Sequence, residues 1–237
     1  MGSTSTYHAI PVASDSMKSA TYVNSALSIG GMNENWRDAV YTMQAGIHRS
    51  HALDNFRLNY GASLALGSYK VSDYNYYNYQ NGMPSYKTGG TFFGGYSLYG
   101  GVSAARRIGR RGEWRYIGLE GSLFNEFGDY HNFRKNLSDS QATEIDRKKY
   151  LGSLGVTTEW VFKGRSKTKV GIKIGAGSYL RRLNYTNVYP GDYYHTHDDL
   201  LYFSVTNHYT FKKNTVYFQF NLATHAGHFQ VGYNFRL

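Results

Sequence analysis

The sequence predicts an all-β chain in which about ten antiparallel strands, with eight as the smaller alternative, close into a transmembrane up-and-down β-barrel. Three observations carry this. The last ten residues alternate without a break, Phe229, Val231, Tyr233, Phe235 and Leu237 to one side, Gln230, Gly232, Asn234 and Arg236 to the other. That is the period of a strand with one apolar and one polar face. The same period recurs in segment after segment. Finally, no apolar run approaches the ~20 residues a spanning helix needs, which excludes a membrane helix. A barrel passes that test, because only every second strand residue meets lipid.

Taken in order, the first segment sets Val23, Leu27 and Ile29 on one face and is the least regular. After Asn33-Glu34-Asn35, a second aligns Ala39, Tyr41, Met43, Ala45 and Ile47. The third is the clearest: Phe56, Leu58, Tyr60, Ala62, Leu64 and Leu66 interleave with Arg57, Asn59, Gly61, Ser63, Ala65 and Gly67. It holds roughly 11 residues in phase, enough for a tilted strand to cross a bilayer. A fourth carries Phe92, Tyr96, Leu98, Val102 and Ala104, and a fifth Ile117, Leu119, Gly121 and Leu123. Leu154, Val156, Trp160 and Phe162 mark the sixth; Val170, Ile172, Ile174, Ala176 and Leu180 the seventh. Leu201, Phe203, Val205, Tyr209 and Phe211 form the eighth, Val216, Phe218, Phe220 and Leu222 the ninth, and the carboxyl terminus the tenth.

The connections alternate in length. Polar stretches of residues 72–90, 128–148 and 183–199 follow the third, fifth and seventh segments, whereas residues 106–112, 163–168 and 212–214 are tight. Short turns on one side and long loops on the other resemble the small bacterial outer-membrane β-barrels. So does the final strand, which is similar to their assembly signal, with Leu237 where Phe is usual. The resemblance implies integral insertion in the bacterial outer membrane. With even strand parity, it also implies that both termini are periplasmic. Residues 1–17 then form a flexible periplasmic segment and 18–237 the barrel. A lipid-bearing Cys ahead of Gly2-Ser3-Thr4 would make the chain a lipoprotein.

The polar face is crowded with small residues, among them Gly61, Ser63, Ala65, Gly67, Gly118, Gly155, Gly171 and Gly175. Glycine makes a poor water-facing strand surface but fits a narrow lumen. We therefore place the apolar face outward. Inside, Arg57, Glu120, Glu159, Lys169 and Lys173 form an expected ion network. Pairing about the 163–168 turn brings Glu159 beside Gly171 or Lys173. A barrel this small is too narrow for a generous channel, so these ions, with Tyr99, Tyr116, Tyr179 and Tyr217, are expected to plug it. A narrow pore is the alternative.

A net charge of +10 invites a nucleic-acid reading, but the basic residues sit in the tight turns without a stacking platform. Arg106, Arg107, Arg110, Arg111, Lys163, Arg165, Lys167, Lys212 and Lys213 make a rim suited to anionic lipid or to an acidic periplasmic protein partner. On the other side, Arg134, Lys135, Arg147, Lys148, Lys149 and Arg182 could meet glycolipid phosphates. The loop containing Tyr74, Tyr76, Tyr77 and Tyr79 has the Tyr/Asn mix of a recognition surface.

Enzymatic readings are weaker. Asn207-His208-Tyr209-Thr210 faintly resembles the His-x-Ser element of lipid A deacylases, with Thr for Ser and the His inward. His195, His197 and Asp198 resemble half of an omptin-like protease site or a weak metal site, without a second acidic pair. No nucleophile elbow, phosphate loop or zinc signature is present. The expectation is a non-enzymatic scaffold without cofactor, an accessory subunit of a larger outer-membrane assembly.

Overall fold

In the computed structural model, residues 6–13, 15–32, 38–70, 91–136, 148–164, 168–189, 192–223 and 226–237 are described. Their strands are β1 (Ser19–Met32), β2 (Asp38–Leu53), β3 (Phe56–Lys70), β4 (Thr91–Ile108), β5 (Gly112–Phe127), β6 (Tyr150–Lys163), β7 (Thr168–Tyr189), β8 (Asp192–Phe211), β9 (Asn214–Ala223) and β10 (Ala226–Arg236), with helix α1 (Asp129–Lys135) after β5. Each strand pairs antiparallel with its sequence neighbours. β1 pairs with β10 from Tyr22 opposite Arg236 to Met32 opposite Ala226 and closes the barrel. Closure leaves the sheet without a free first or last strand, the condition for a sheet in lipid.

The outward row is the apolar one. Leu27, Leu119 and Leu123 are 65%, 59% and 64% exposed, whereas Gln230 and Asn234 are fully enclosed. Along β10 the pattern anticipated from the carboxyl terminus holds residue by residue. The side chains with the least affinity for water face outward, and the amides and guanidiniums face the axis, the reverse of a soluble barrel. We read the exposed belt as the lipid-contacting surface.

One departure from strict alternation matters. A β-bulge at Tyr116–Ile117 of β5 shifts its register against β4 at the Ala104–Ala105 step and against β6 between Arg115 and Gly118. A bulge adds a residue and slips the side-chain phase by one. Tyr116 and Ile117 therefore both face outward, at 45% and 53% exposure, so Tyr116, expected in the lumen, is outside. Before the slip, Glu113 and Arg115 point inward. After it, Gly118 and Glu120 do.

The other departures concern the segments between strands. Residues 183–199 are not a loop: β7 and β8 continue as one long hairpin, paired as far as Tyr189 opposite Asp192. Residues 128–148 begin with α1, which follows Gly128 at φ 99°, a left-handed conformation that glycine adopts without a Cβ clash. Tyr130 of α1 packs with Tyr69, Phe93 and Phe124 in a buried cluster at that end of the lumen. The Arg134 guanidinium sits over the Tyr130 ring and bridges Glu126 at 2.6 Å. Arg134 is thus engaged within the barrel rather than presented as an outer phosphate ligand.

The largest correction is at the amino terminus. Residues 6–13, expected as part of a flexible periplasmic tail, lie within the barrel. Thr6, Tyr7, His8, Ala9 and Val12 are each at most 7% exposed, because the segment lies inside the lumen.

Candidate functional site in the barrel lumen

The lumen is organised around two charge chains, one on the wall and one between wall and segment. Arg57 on β3 meets Glu113 on β5 in a bidentate pair, Nε donating to Oε1 at 3.0 Å and Nη2 to Oε2 at 2.7 Å. The other face of that guanidinium donates to the carbonyls of Leu53 and Phe56, each at 2.6 Å. Arg115 Nε donates to Glu113 at 3.0 Å, and Arg115 Nη1 to Glu159 on β6 at 2.6 Å. The series Arg57, Glu113, Arg115, Glu159 alternates in sign, and every member is buried. Charges removed from water need paired and hydrogen-bonded partners, and here each has them.

The inserted segment completes this network. The Tyr7 hydroxyl donates to Glu159 Oε1 at 3.1 Å, and its ring stacks on His208 with centroids 4.5 Å apart. His208 Nε2 lies 3.0 Å from the same oxygen, with its ring turned off the hydrogen-bond direction. The Ala9 carbonyl accepts from Ser50 Oγ at 2.8 Å and faces His48 Nε2 at 3.2 Å. The Ile10 carbonyl accepts from Arg115 Nη2 at 3.2 Å. The Ala13 N–H donates to Glu113 Oε2 at 2.7 Å. At the tight-turn rim, Asp15 bridges Lys163 at 2.9 Å and Lys169 more closely. Backbone polar groups buried in a barrel must find partners, and the wall supplies them at successive levels.

Burial sets the ionisation of this segment. It raises the Tyr7 hydroxyl, helped by the neighbouring Glu159 carboxylate, so Tyr7 stays a donor. Burial also depresses His8, with further lowering from His48 and Lys173, so the imidazole that stacks on Tyr99 at 3.9 Å is neutral. For Asp15 burial opposes ionisation, but Lys169, Lys163 and the Val12 N–H outweigh it and hold the carboxyl below its usual range.

Of the residues expected in the lumen, Arg57, Glu120, Glu159, Lys169 and Lys173 each enter an ion pair there, though not in the pairs expected, and Tyr116 lies outside. Glu159 does stand opposite Lys173 in the β6–β7 register, yet its ion pair is with Arg115, and Tyr7 donates to its other oxygen. Lys173 instead bridges Glu120, and Lys169 bridges Asp15. Tyr99 and Tyr217 face inward as expected, and Tyr179 packs on Tyr202. Glu113, Arg115, Tyr7, His8 and Asp15 were missed. For Glu113 and Arg115 a signal existed, since Glu113-Trp114-Arg115-Tyr116 alternates one phase ahead of the segment that follows. Tyr74, Tyr76, Tyr77 and Tyr79 lie outside the described residues. His195, His197 and Asp198 have described backbone within β8, whereas their side chains lie outside the description. Above the segment, Thr6, His8, Asn59, Tyr99, Glu120 and Tyr202 line a polar void of about 30 Å³, a volume on the scale of single waters.

The sequence matches no family model and no curated protein. Its fold does have counterparts. The β domain of the Bordetella autotransporter BrkA is similar over 93% of this chain and 100% of its own, with a TM-score of 0.50 and 7% identity. An outer-membrane channel of Pseudomonas putida F1 covers 99% of each chain at TM-score 0.44 and 11% identity. The outer membrane protease OmpT of Escherichia coli covers 92% of this chain and 96% of its own at 0.43 and 8%. The fold is that of a bacterial outer-membrane β-barrel. At such identities the likeness is one of architecture alone, so the chemistry of this barrel has to be argued from its own lumen.

Proposed function

We propose that this chain is an integral outer-membrane barrel that neither conducts nor catalyses, and serves as a binding or accessory scaffold within a larger outer-membrane assembly. The observation that carries the reading is the filled lumen. Residues 6–13 occupy the interior, and their carbonyl, N–H and hydroxyl groups are bonded to Arg115, Glu113, Ser50 and Glu159. A permeation path would have to displace that segment, and a hydrolytic site there would have no route for substrate. What remains for function is the outer surface. The tight-turn rim, with Arg106, Arg107, Arg110, Arg111, Lys212 and Lys213, faces the periplasm in this reading, where it suits an acidic partner or anionic headgroups. On the opposite face, where β3 leads to β4 and β5 to β6, the basic Lys148 and Lys149 would suit glycolipid phosphates in this reading.

The test joins two measurements on the full-length protein. In planar bilayers it is expected to give no stepwise current, and affinity isolation from native membranes is expected to bring down a defined protein partner in fixed ratio. Stable single-channel steps from the intact chain would contradict the closed lumen. Recovery of the barrel alone would contradict the accessory role. Hydrolysis of peptide or lipid A that vanishes in His195→Ala or Asp198→Ala would make it an enzyme instead.

A further inference from the structure

At the tight-turn mouth of the lumen, a cleft of about 20 Å³ lies between the inserted segment and the wall. Its cations are Arg115, Lys169, Lys212, Lys213 and Arg236, and no Asp or Glu among the described residues lines it. Arg115 is neutralised by Glu113 and Glu159, and Lys169 shares the one carboxylate of Asp15 with Lys163. Lys212, Lys213 and Arg236 enter no ion pair with a described residue, so the cleft keeps a surplus of positive charge. Arg236 stands opposite Tyr22 in the closing pair, and its Nε–H is buried without an acceptor among the described residues. A buried donor left in that state is costly. The Thr210 and Thr215 hydroxyls of the cleft bond each other at 2.8 Å. That uses one of their two O–H groups and leaves the other to donate. The β8–β9 turn is the two-residue hairpin Lys212-Lys213, with Lys212 at φ 54°. Glycine, Asn and Asp suit that left-handed conformation, so the charge stands there at a cost to the backbone.

We infer that this cleft is an anion site for phosphate oxygens, filled at the membrane surface by the headgroup of an anionic phospholipid. A water needs about 10–15 Å³, so the cleft admits one or two oxygen-sized atoms. The two non-bridging oxygens of a phosphate fit, and a sugar ring does not. The guanidinium of Arg236 and the lysine ammoniums supply charge-assisted donors, and the threonine pair supplies a neutral one. The rim also favours a lipid over the carboxylates of an acidic protein. Lys212 Nζ lies 5.1 Å from the centroid of the Phe211 ring and Lys213 Nζ 5.9 Å from that of Phe235. Both rings belong to the exposed apolar belt, so the two lysines stand between the acyl-facing wall and the cleft. Tails along those rings would put a phosphate at the mouth across a rim only two residues high. Tyr7, Ile10 and Val12 form the inner side of the cleft, so an occupied site ties the inserted segment to the membrane surface. The cleft itself needs no orientation, whereas drawing the lipid from the periplasmic leaflet rests on the orientation proposed above.

The test uses the full-length barrel folded in dodecylmaltoside. It is titrated at constant ionic strength with dihexanoyl-phosphatidylglycerol, inorganic phosphate or hexaglutamate, and binding is read as a saturable rise in the urea midpoint. Phosphatidylglycerol is expected to bind. Lys213→Gln with Arg236→Gln is expected to weaken it roughly 30-fold, about fivefold per basic residue removed. Arg110→Gln with Arg111→Gln removes as much charge from the same rim outside the cleft and is expected to leave the affinity unchanged. Lys212→Asn removes a charge and suits φ 54°. It is expected to raise the ligand-free midpoint while weakening binding about fivefold, which separates lost affinity from a damaged fold. Inorganic phosphate binding as tightly, with the same dependence on Lys213 and Arg236, would support the phosphate site and overturn the lipid as its source. Equal losses in the two double variants would overturn the site in favour of diffuse rim charge. Hexaglutamate binding where neither phosphate ligand does, or no saturable rise with any of the three, would overturn phosphate recognition. None of these readouts depends on conductance or on partner recovery, so the cleft and the scaffold role fail separately.

Discussion

Glu113 is the side chain on which the lumen most depends, and Glu113→Gln is the sharpest way to test that. Its carboxylate accepts from Arg57 Nε and Nη2, from Arg115 Nε and from the Ala13 N–H at 2.7–3.0 Å, and it is wholly enclosed. Glutamine keeps the shape but removes the charge and turns an NH₂ group toward donors. Two buried guanidiniums are then left with Glu159 as the carboxylate of their chain. Breaking a buried pair by removing one partner costs about 3–5 kcal/mol, whereas a pair as open as Lys163 with Asp15, 24% exposed on the lysine side, is worth about 0–1 kcal/mol. Urea unfolding of the folded barrel in detergent, followed by the fluorescence of Trp114 and Trp160, gives both numbers in one series. Glu113→Gln is expected to lose several kcal/mol, Lys163→Gln at most about one. Arg57→Met combined with Glu113→Gln is expected to recover most of the loss, because the remaining Arg115 and Glu159 balance. If Glu113→Gln unfolds with the midpoint of Lys163→Gln, the charge chain does not hold the lumen together and the reasoning fails.

Acidification tests the segment itself. His8 is depressed well below 6.5 by burial, His48 and Lys173, with neutral Tyr99 stacked on it. The released segment therefore binds a proton near 6.5 while the docked one does not, so docking is strongest above that pH. It weakens as pH falls below it, by up to about 1.4 kcal/mol per unit. The protection factors of residues 7–10, exchange rates corrected for the intrinsic pH dependence of amide exchange, should fall from pH 7 to 5 and lose that dependence in His8→Phe; protection factors that stay constant would refute it. Asp15 acts at lower pH. Its contribution is complete above 3.8 and is lost as pH drops below that value; Asp15→Asn should raise exchange at residues 12–15 already at pH 7. In the wall, a Cβ at Gly232 would overlap the buried Tyr217 ring, so Gly232→Val should cost about 1–3 kcal/mol through overpacking, read as a lowered urea midpoint. On the outer face, Leu119→Arg should cost about 2–4 kcal/mol in lipid if it sits near mid-membrane, and an unchanged midpoint would place it outside the acyl region.

Most of the architecture was legible because a strand buried in lipid on one side and in a narrow lumen on the other writes its two faces as alternate letters. All ten segments are strands. The closing strand pairs through Phe229, Val231, Tyr233 and Phe235 in the phase read from sequence. Period-two reasoning failed where the period itself slips: the β5 bulge hid Glu113 and Arg115 and put Tyr116 outside. It was silent on residues 6–13 and on Asp15, because a segment lodged in a lumen has no repeating environment. Its neighbours change at each residue, from the Tyr202 side of the void to His208 to Ser50 to Lys169, and only the closed barrel brings those side chains to one axis. The ionic partners of Lys169 and Lys173 were hidden for the same reason, since both are set by long side chains crossing the lumen rather than by the register of adjacent strands.

The most direct measurement is spin-label accessibility along β3 in lipid bilayers, residue by residue from Tyr60 to Leu66. The account predicts oxygen-accessibility maxima at Tyr60, Ala62, Leu64 and Leu66, with Gly61, Ser63 and Ala65 shielded from both oxygen and a water-soluble nickel relaxant by the filled interior. Maxima at Ser63 and Ala65, or free nickel access there, would contradict it.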